Sequence, residues 1–165
     1  MLFRLVLALA ALGLLVPVRV LLPSASAQTT TEVKSNNQKI TTKAAKEISA
    51  VIARQQASWN KGDLMGFLSY YAHTKSVAYV SNGGAHKGFD AIEKQYRSHY
   101  GHDRKTMGQL YLTELEITEL GDKHALAIGK FTVVHHSSVP IYGRFSLIFE
   151  RTKEGWKIIY DHSSA

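Results

Sequence analysis

An α+β fold is predicted, with three N-terminal helices packed on one face of a curved antiparallel sheet. Three observations predict it. Apolar residues recur at helical spacing as far as Tyr100, and the period changes to two from Leu110 onward. The segment Tyr142 to Ser164 reads as one long β-hairpin around Thr152-Lys153-Glu154-Gly155. The 165 residues are 45% hydrophobic and 20% charged, ordinary values for a domain with a substantial core.

The first 27 residues read as a secretory signal peptide. Arg4 supplies a positive start, Leu5 to Val16 an apolar run, and Ala25-Ser26-Ala27 a small-x-small cleavage site before Gln28. Pro17 and Arg19 interrupt the run, so an uninterrupted span of about 20 apolar residues is not available; the alternative to a cleaved signal is an uncleaved N-terminal anchor. A secreted or periplasmic location is therefore expected, with no membrane association after cleavage. Residues 28–39 are polar and read as a disordered leader, leaving a single domain over 40–165. Loss of Arg4 and Arg19 with the signal lowers the formal charge from +7 to +5. No basic motif interleaved with aromatics suggests a nucleic-acid partner. There is no cysteine, which excludes disulfides, thiolate metal sites and a cysteine nucleophile.

Helix one is expected over Thr42 to Asn60, with Ile48, Val51, Ile52, Gln55 and Trp59 on one stripe. Gly62 suits a left-handed C-cap, and Asp63 caps a second helix carrying Leu64, Phe67, Leu68 and Tyr71 inward. A short strand, Val77 to Val80, is broken by Asn82-Gly83-Gly84. Helix three spans Phe89 to Tyr100, with Phe89, Ile92, Tyr96 and Tyr100 on one side. In the next strand Leu110 and Leu112 are out of step with Leu115 and Ile117, which predicts a β-bulge near Thr113-Glu114. Ala125 to Val134 forms a further strand before the hairpin. There Phe145, Leu147 and Phe149 share one face, and Trp156, Ile158, Tyr160 and His162 share another by alternation. By the same alternation Asp161 points the opposite way, and Arg144 lies on the outer sheet face.

Trp59-Asn60-Lys61-Gly62-Asp63, Tyr71-Ala72, Lys87-Gly88-Phe89-Asp90-Ala91-Ile92 and Gly155-Trp156-Lys157-Ile158 leading to Asp161-His162-Ser163 carry a family likeness. In order and spacing they resemble the SnoaL-like and ketosteroid-isomerase-like proteins of the cone-shaped nuclear transport factor two fold. The resemblance implies a conical pocket between helices and sheet, and pairing of two copies through the outer sheet face. In the isomerases of that family a helix-one tyrosine, a carboxylate base and a protonated aspartic acid carry the chemistry. Those positions fall at Gln55, Tyr79 and Leu147 here, so isomerase chemistry of that type is not expected.

The expected pocket residues are Gln55, Trp59, Tyr79, Tyr96, Phe145, Leu147, Tyr160 and His162. His162 is the candidate acid–base group, since an imidazole titrates near neutrality; the alternative is a structural histidine near the sheet edge. Gln55 either presents its amide to the pocket or serves as a helix-edge residue. His135-His136 is the one candidate metal pair, but adjacent strand residues face apart, so neither metal nor cofactor is expected. Three functions follow as expectations: a binder of a small apolar or amphipathic molecule, a cyclase- or isomerase-type enzyme using His162, and an oligomeric assembly module. The first two require a hollow rimmed by the inward-facing Tyr160 and His162.

Overall fold

The computed structural model describes residues 42–136 and 138–165. The signal peptide and the leader lie outside the described residues. Helix α1 (Lys43–Lys61) begins where the Thr42 hydroxyl accepts from Ala45 N at 3.1 Å. It ends at Gly62, whose φ of 78° is the left-handed cap expected from the sequence. A Cβ there would sit 2.2 Å from Arg104 N, so close backbone approach also demands glycine. Asp63 then caps α2 (Leu64–Leu68) by accepting from Gly66 N.

The chain continues through β1 (Ala78–Ser81), β2 (Gly84–Lys87), α3 (Phe89–Tyr100), α4 (Arg104–Met107), β3 (Gln109–Glu119), β4 (His124–Val134), β5 (Ile141–Thr152) and β6 (Gly155–Ser164). One sheet in the order β2-β1-β6-β5-β4-β3 contains all six strands. Three features depart from expectation. Asn82-Gly83 does not end the early strand but turns it into a hairpin with β2. The sheet is mixed, because β1 runs parallel to β6 while every other pair is antiparallel. The short helix α4, capped by Asp103, was not apparent in the periodicity.

The bulge expected in β3 is present. Thr113 pairs with Lys130 and Glu116 with Ile128, leaving Glu114 and Leu115 opposite Gly129. Glu114 takes up the irregularity with φ at 51°. A second bulge lies in β6, where Tyr160 pairs with Ile148 and Ile158 with Phe149, so Ile159 has no opposite number. A bulge bends its strand and increases local twist, and the two together curve the sheet around the helices.

Side-chain amides lock α1 to that curve. Asn60 accepts from Leu110 N at 2.7 Å and donates to Leu110 O at 2.9 Å, while Gln56 accepts from Leu112 N at 2.8 Å. These bonds satisfy the free edge of β3, which would otherwise be open to pairing with another chain. At the other end Trp156 donates to Glu47 of α1 at 3.0 Å, under the Arg151 guanidinium. The core between helices and sheet includes Ile48, Leu68, Ile92, Phe149 and Ile158, all essentially inaccessible.

Two glycines set how closely rings lie on the sheet. A Cβ on Gly143 would fall 2.3 Å from both the Phe131 ring and Ser164 O; one on Gly129 would fall 2.5 Å from the Phe145 ring. Each phenylalanine therefore lies over a cross-strand glycine. Since Ser164 O is backbone, it has little freedom to yield, and Gly143→Ala is expected to destabilise the domain by about 1–3 kcal/mol, read from its urea midpoint.

Candidate functional site

Between the helices and the inner sheet face lies a cavity of about 370 Å³. Its helical wall is aromatic, formed by Trp59, Phe67, Tyr96 and Tyr100. Its sheet wall is mostly aliphatic and phenyl, with Leu110, Leu112, Phe145 and Leu147. Exposed lining residues, among them Asn82, Gly83, His99 and Ile141, mark the opening.

The polar centre of this cavity is Asp161, only 2% exposed. The bulge at Ile159 puts it there. Trp156 and Ile158 face the core; one extra residue then shifts the phase, so Asp161 and Ser163 face inward beside Leu147 and Phe145. Tyr71 reaches the same point by a different route. Its segment runs alongside β6, with Ala72 N donating to Ile158 O and Ile158 N to Tyr70 O, both at 2.8 Å. From that backbone bridge the Tyr71 hydroxyl donates to Asp161 Oδ2 at 2.5 Å. Tyr96, from the buried side of α3, lies 3.1 Å from the Tyr71 hydroxyl and 3.4 Å from Asp161 Oδ2. Ser163 donates to Asp161 Oδ1 at 2.7 Å.

Burial dominates the electrostatics. It raises the Asp161 carboxyl above the usual carboxylate value, against the opposing pull of the Tyr71, Ser163 and Tyr96 hydroxyls. Burial, with the Asp161 charge adding to it, holds Tyr71 well above an ordinary phenol. Tyr96 is likewise held well above by burial, then by Tyr71 and Asp161. Burial pushes Tyr79 up to about 12, with Tyr100 and Asp161 adding to it, and raises Tyr100. All four phenols thus keep their protons at neutral pH, and those of Tyr71 and Tyr96 are directed at Asp161.

Six of the eight residues expected from the sequence line the cavity: Gln55, Trp59, Tyr79, Tyr96, Phe145 and Leu147. Gln55 is buried, and its amide nitrogen donates to Phe67 O at 3.3 Å rather than reaching solvent. Trp59 donates to Met107 O at 3.1 Å and stands edge-on to Phe67 and Tyr100. Tyr160 and His162 are not in the cavity. The Ile159 bulge turns them to the outer face, opposite Ile148 and Ser146, and His162 is exposed. The acid–base role proposed for His162 on the cavity side is therefore corrected, and Asp161 with Ser163 occupies the position assigned to the pair. Asp161 and Tyr71 were missed as site residues; the out-of-step Ile158 and Ile159 are the only trace of the bulge in the sequence. His135 sits against Thr106 O, and among the described residues no cluster of three or more metal-ligating side chains occurs.

A curved sheet closed by N-terminal helices over an apolar cavity defines the class: a domain of the nuclear transport factor two-like fold. Residues 48–165 match the SnoaL-like domain, and the chain belongs to that family. Among solved structures it is similar to a nuclear transport factor two-like protein of unknown function from Shewanella oneidensis MR-1. That likeness has 28% identity, covers 73% of this chain and 98% of the other, and has a TM-score of 0.67. A Nostoc punctiforme protein with a cystatin-like fold is 18% identical over 74% of this chain and 92% of its own, with a TM-score of 0.62. A nuclear transport factor two-like superfamily protein from Salmonella enterica serovar Typhimurium is 22% identical over 73% and 89%, with a TM-score of 0.59. No curated protein matches the chain.

A raised carboxyl pKa fixes the sign of one pH effect. What Asp161 contributes to stability is full below its unfolded value near 3.8 and is lost as pH rises through the higher folded value. Relative to Asp161→Asn, the wild-type domain is expected to gain stability on acidification from neutral pH. The gain is about 1.4 kcal/mol per unit by which folding raises the carboxyl. Urea denaturation of both proteins across that range checks this; a difference independent of pH would refute it.

Proposed function

We propose that the domain binds a small, largely apolar or amphipathic molecule in the conical cavity, with Asp161 and its hydroxyl partners receiving the ligand's polar end. The observation that carries this reading is the cavity itself. About 370 Å³ of aromatic-walled space around one buried carboxyl has the size and the sparse, convergent polarity of small-molecule sites. A solvent-sensitive neutral naphthalene dye is expected to bind and to quench Trp59 emission. Leu147→Trp, which fills the space opposite Asp161, should weaken that binding at least about tenfold while far-UV circular dichroism is retained. Equal dye binding by this variant would remove the cavity as the site.

A second reading is favoured by Asp161 specifically. A buried carboxyl raised above the usual carboxylate value by burial, with phenols that stay protonated in hydrogen-bond reach, is an arrangement suited to proton transfer at a bound ligand. Any such chemistry would depend on Asp161, and His162 would not take part.

We also propose that two copies associate through the outer sheet face. The helices occupy the opposite side, and the outer face presents Tyr111, Ile128 and Tyr142 at 37–65% exposure, with Leu126 and Ile148 partly exposed between them. A second copy laid on this patch would bury its apolar centre. Light scattering is expected to give a dimer mass for the wild-type domain and a monomer mass for Ile128→Lys; a monomeric wild type at high concentration would exclude the pairing.

A further inference from the structure

Asp161 combines three features that together specify the charge of what enters the cavity. First, hydroxyl donors converge on both of its oxygens, Ser163 on Oδ1 and Tyr71 with Tyr96 on Oδ2. A carboxylate accepts at both oxygens, whereas a neutral acid must give up one position to its own proton. The geometry is that of an acceptor, an anion's setting. Second, among the described residues no lysine, arginine or histidine pairs with it; the ion pairs, such as those of Glu47, Glu93 and Glu114, lie outside the cavity. Buried charges in proteins are normally paired, because removal from water costs several kcal/mol per ion. Third, the wall around it is aromatic and contains no lysine or arginine. Ring faces carry partial negative charge and attract cations within about 6 Å.

We propose that the cavity accepts an organic cation, a compact ammonium head seated against Asp161 and the surrounding rings, with an apolar body directed toward Leu110, Leu112 and Ile141. This rests on the reading of the cavity as a ligand site and adds the charge of the ligand. The bound cation completes the missing ion pair, and the phenolic hydroxyls keep the carboxylate oriented toward it. An anionic head in the same position would meet Asp161 and the ring faces with like charge and no lysine or arginine to compensate; His99 lies at the opening.

The test uses two probes of one shape. Benzyltrimethylammonium and neopentylbenzene differ only in a quaternary nitrogen for a quaternary carbon. Titrated into the full chain at neutral pH and followed by Trp59 emission, the cation is expected to bind about tenfold or more tighter than the hydrocarbon. In Asp161→Asn that preference is expected to fall at least about tenfold. If the hydrocarbon binds as well as the cation, the cation assignment is overturned and the cavity reading stands. If neither binds, both are overturned. Should Asp161→Asn fail to fold, the comparison of the two probes on the wild-type chain decides the question alone.

Discussion

One unpaired residue, Ile159, decides the chemistry of this molecule. Side chains alternate strictly along a strand, so a single inserted residue exchanges the two faces for everything beyond it. Up to Ile158 strand β6 packs Trp156 and Ile158 into the core. Past the bulge the inward positions are Asp161 and Ser163, and the outward ones are Tyr160 and His162. Without the insertion the cavity would hold an imidazole and a phenol from β6. Asp161 would lie on the outer face, leaving the buried Tyr71 and Tyr96 hydroxyls without their shared acceptor. An unsatisfied buried hydroxyl costs about 1–3 kcal/mol, so the bulge and the two tyrosines support one another.

The cavity stays open because the groups around it are fixed to something else. Gln55, Trp59 and Asn60 successively spend their amide and indole hydrogens on Phe67 O, Met107 O and Leu110 O. These three bonds hold α1 against α2, the end of α4 and the edge of β3. On the facing sheet, Phe131 and Phe145 lie over Gly143 and Gly129, in space that a larger residue at either glycine would take. A sheet bent at two bulges, with rings pressed onto its surface, leaves a gap that the helices span without filling.

Helices α1, α2 and α3 and most strand boundaries were legible in the sequence for a simple reason: their signals are local. Gly62 and Asp63 mark the α1–α2 corner, and Leu110, Leu112 and Ile117 are apolar on both sides of the β3 bulge, so the change of phase shows. In β6 the same defect leaves little trace. Beyond Ile159 the inward residues are the polar ones of the cavity, and hydrophobic phase cannot distinguish a polar residue facing solvent from one facing a ligand site. The polar lining of the cavity erased the marker. Tyr71 was legible as an inward residue but not as a partner of Asp161, because their contact spans 90 positions and follows from the bridge to Ile158. The parallel β1–β6 pair was hidden for the same reason, since no local pattern records which strand lies beside a short one.

That relocation also bears on how the fold's chemistry is recognised. The resemblance to ketosteroid isomerases implies an acid on the penultimate strand, and Leu147 stands there. Yet Leu147 is the cross-strand partner of Asp161, and neighbouring strands are only about 4.8 Å apart. A carboxyl is therefore delivered to nearly the same place in the cone from the adjacent strand. The helix-one tyrosine is replaced by Gln55, while phenol hydroxyls arrive from Tyr71 and Tyr96. Matching position by position finds none of the three groups, whereas matching by location in the cavity finds a buried acid with phenolic donors. The cavity's polar centre lies at Asp161, and the same place in a cone of this kind can be reached from more than one strand. In this chain a bulge and a parallel strand pairing supply it, so the site is defined by the backbone that turns Asp161 inward as much as by the residue itself.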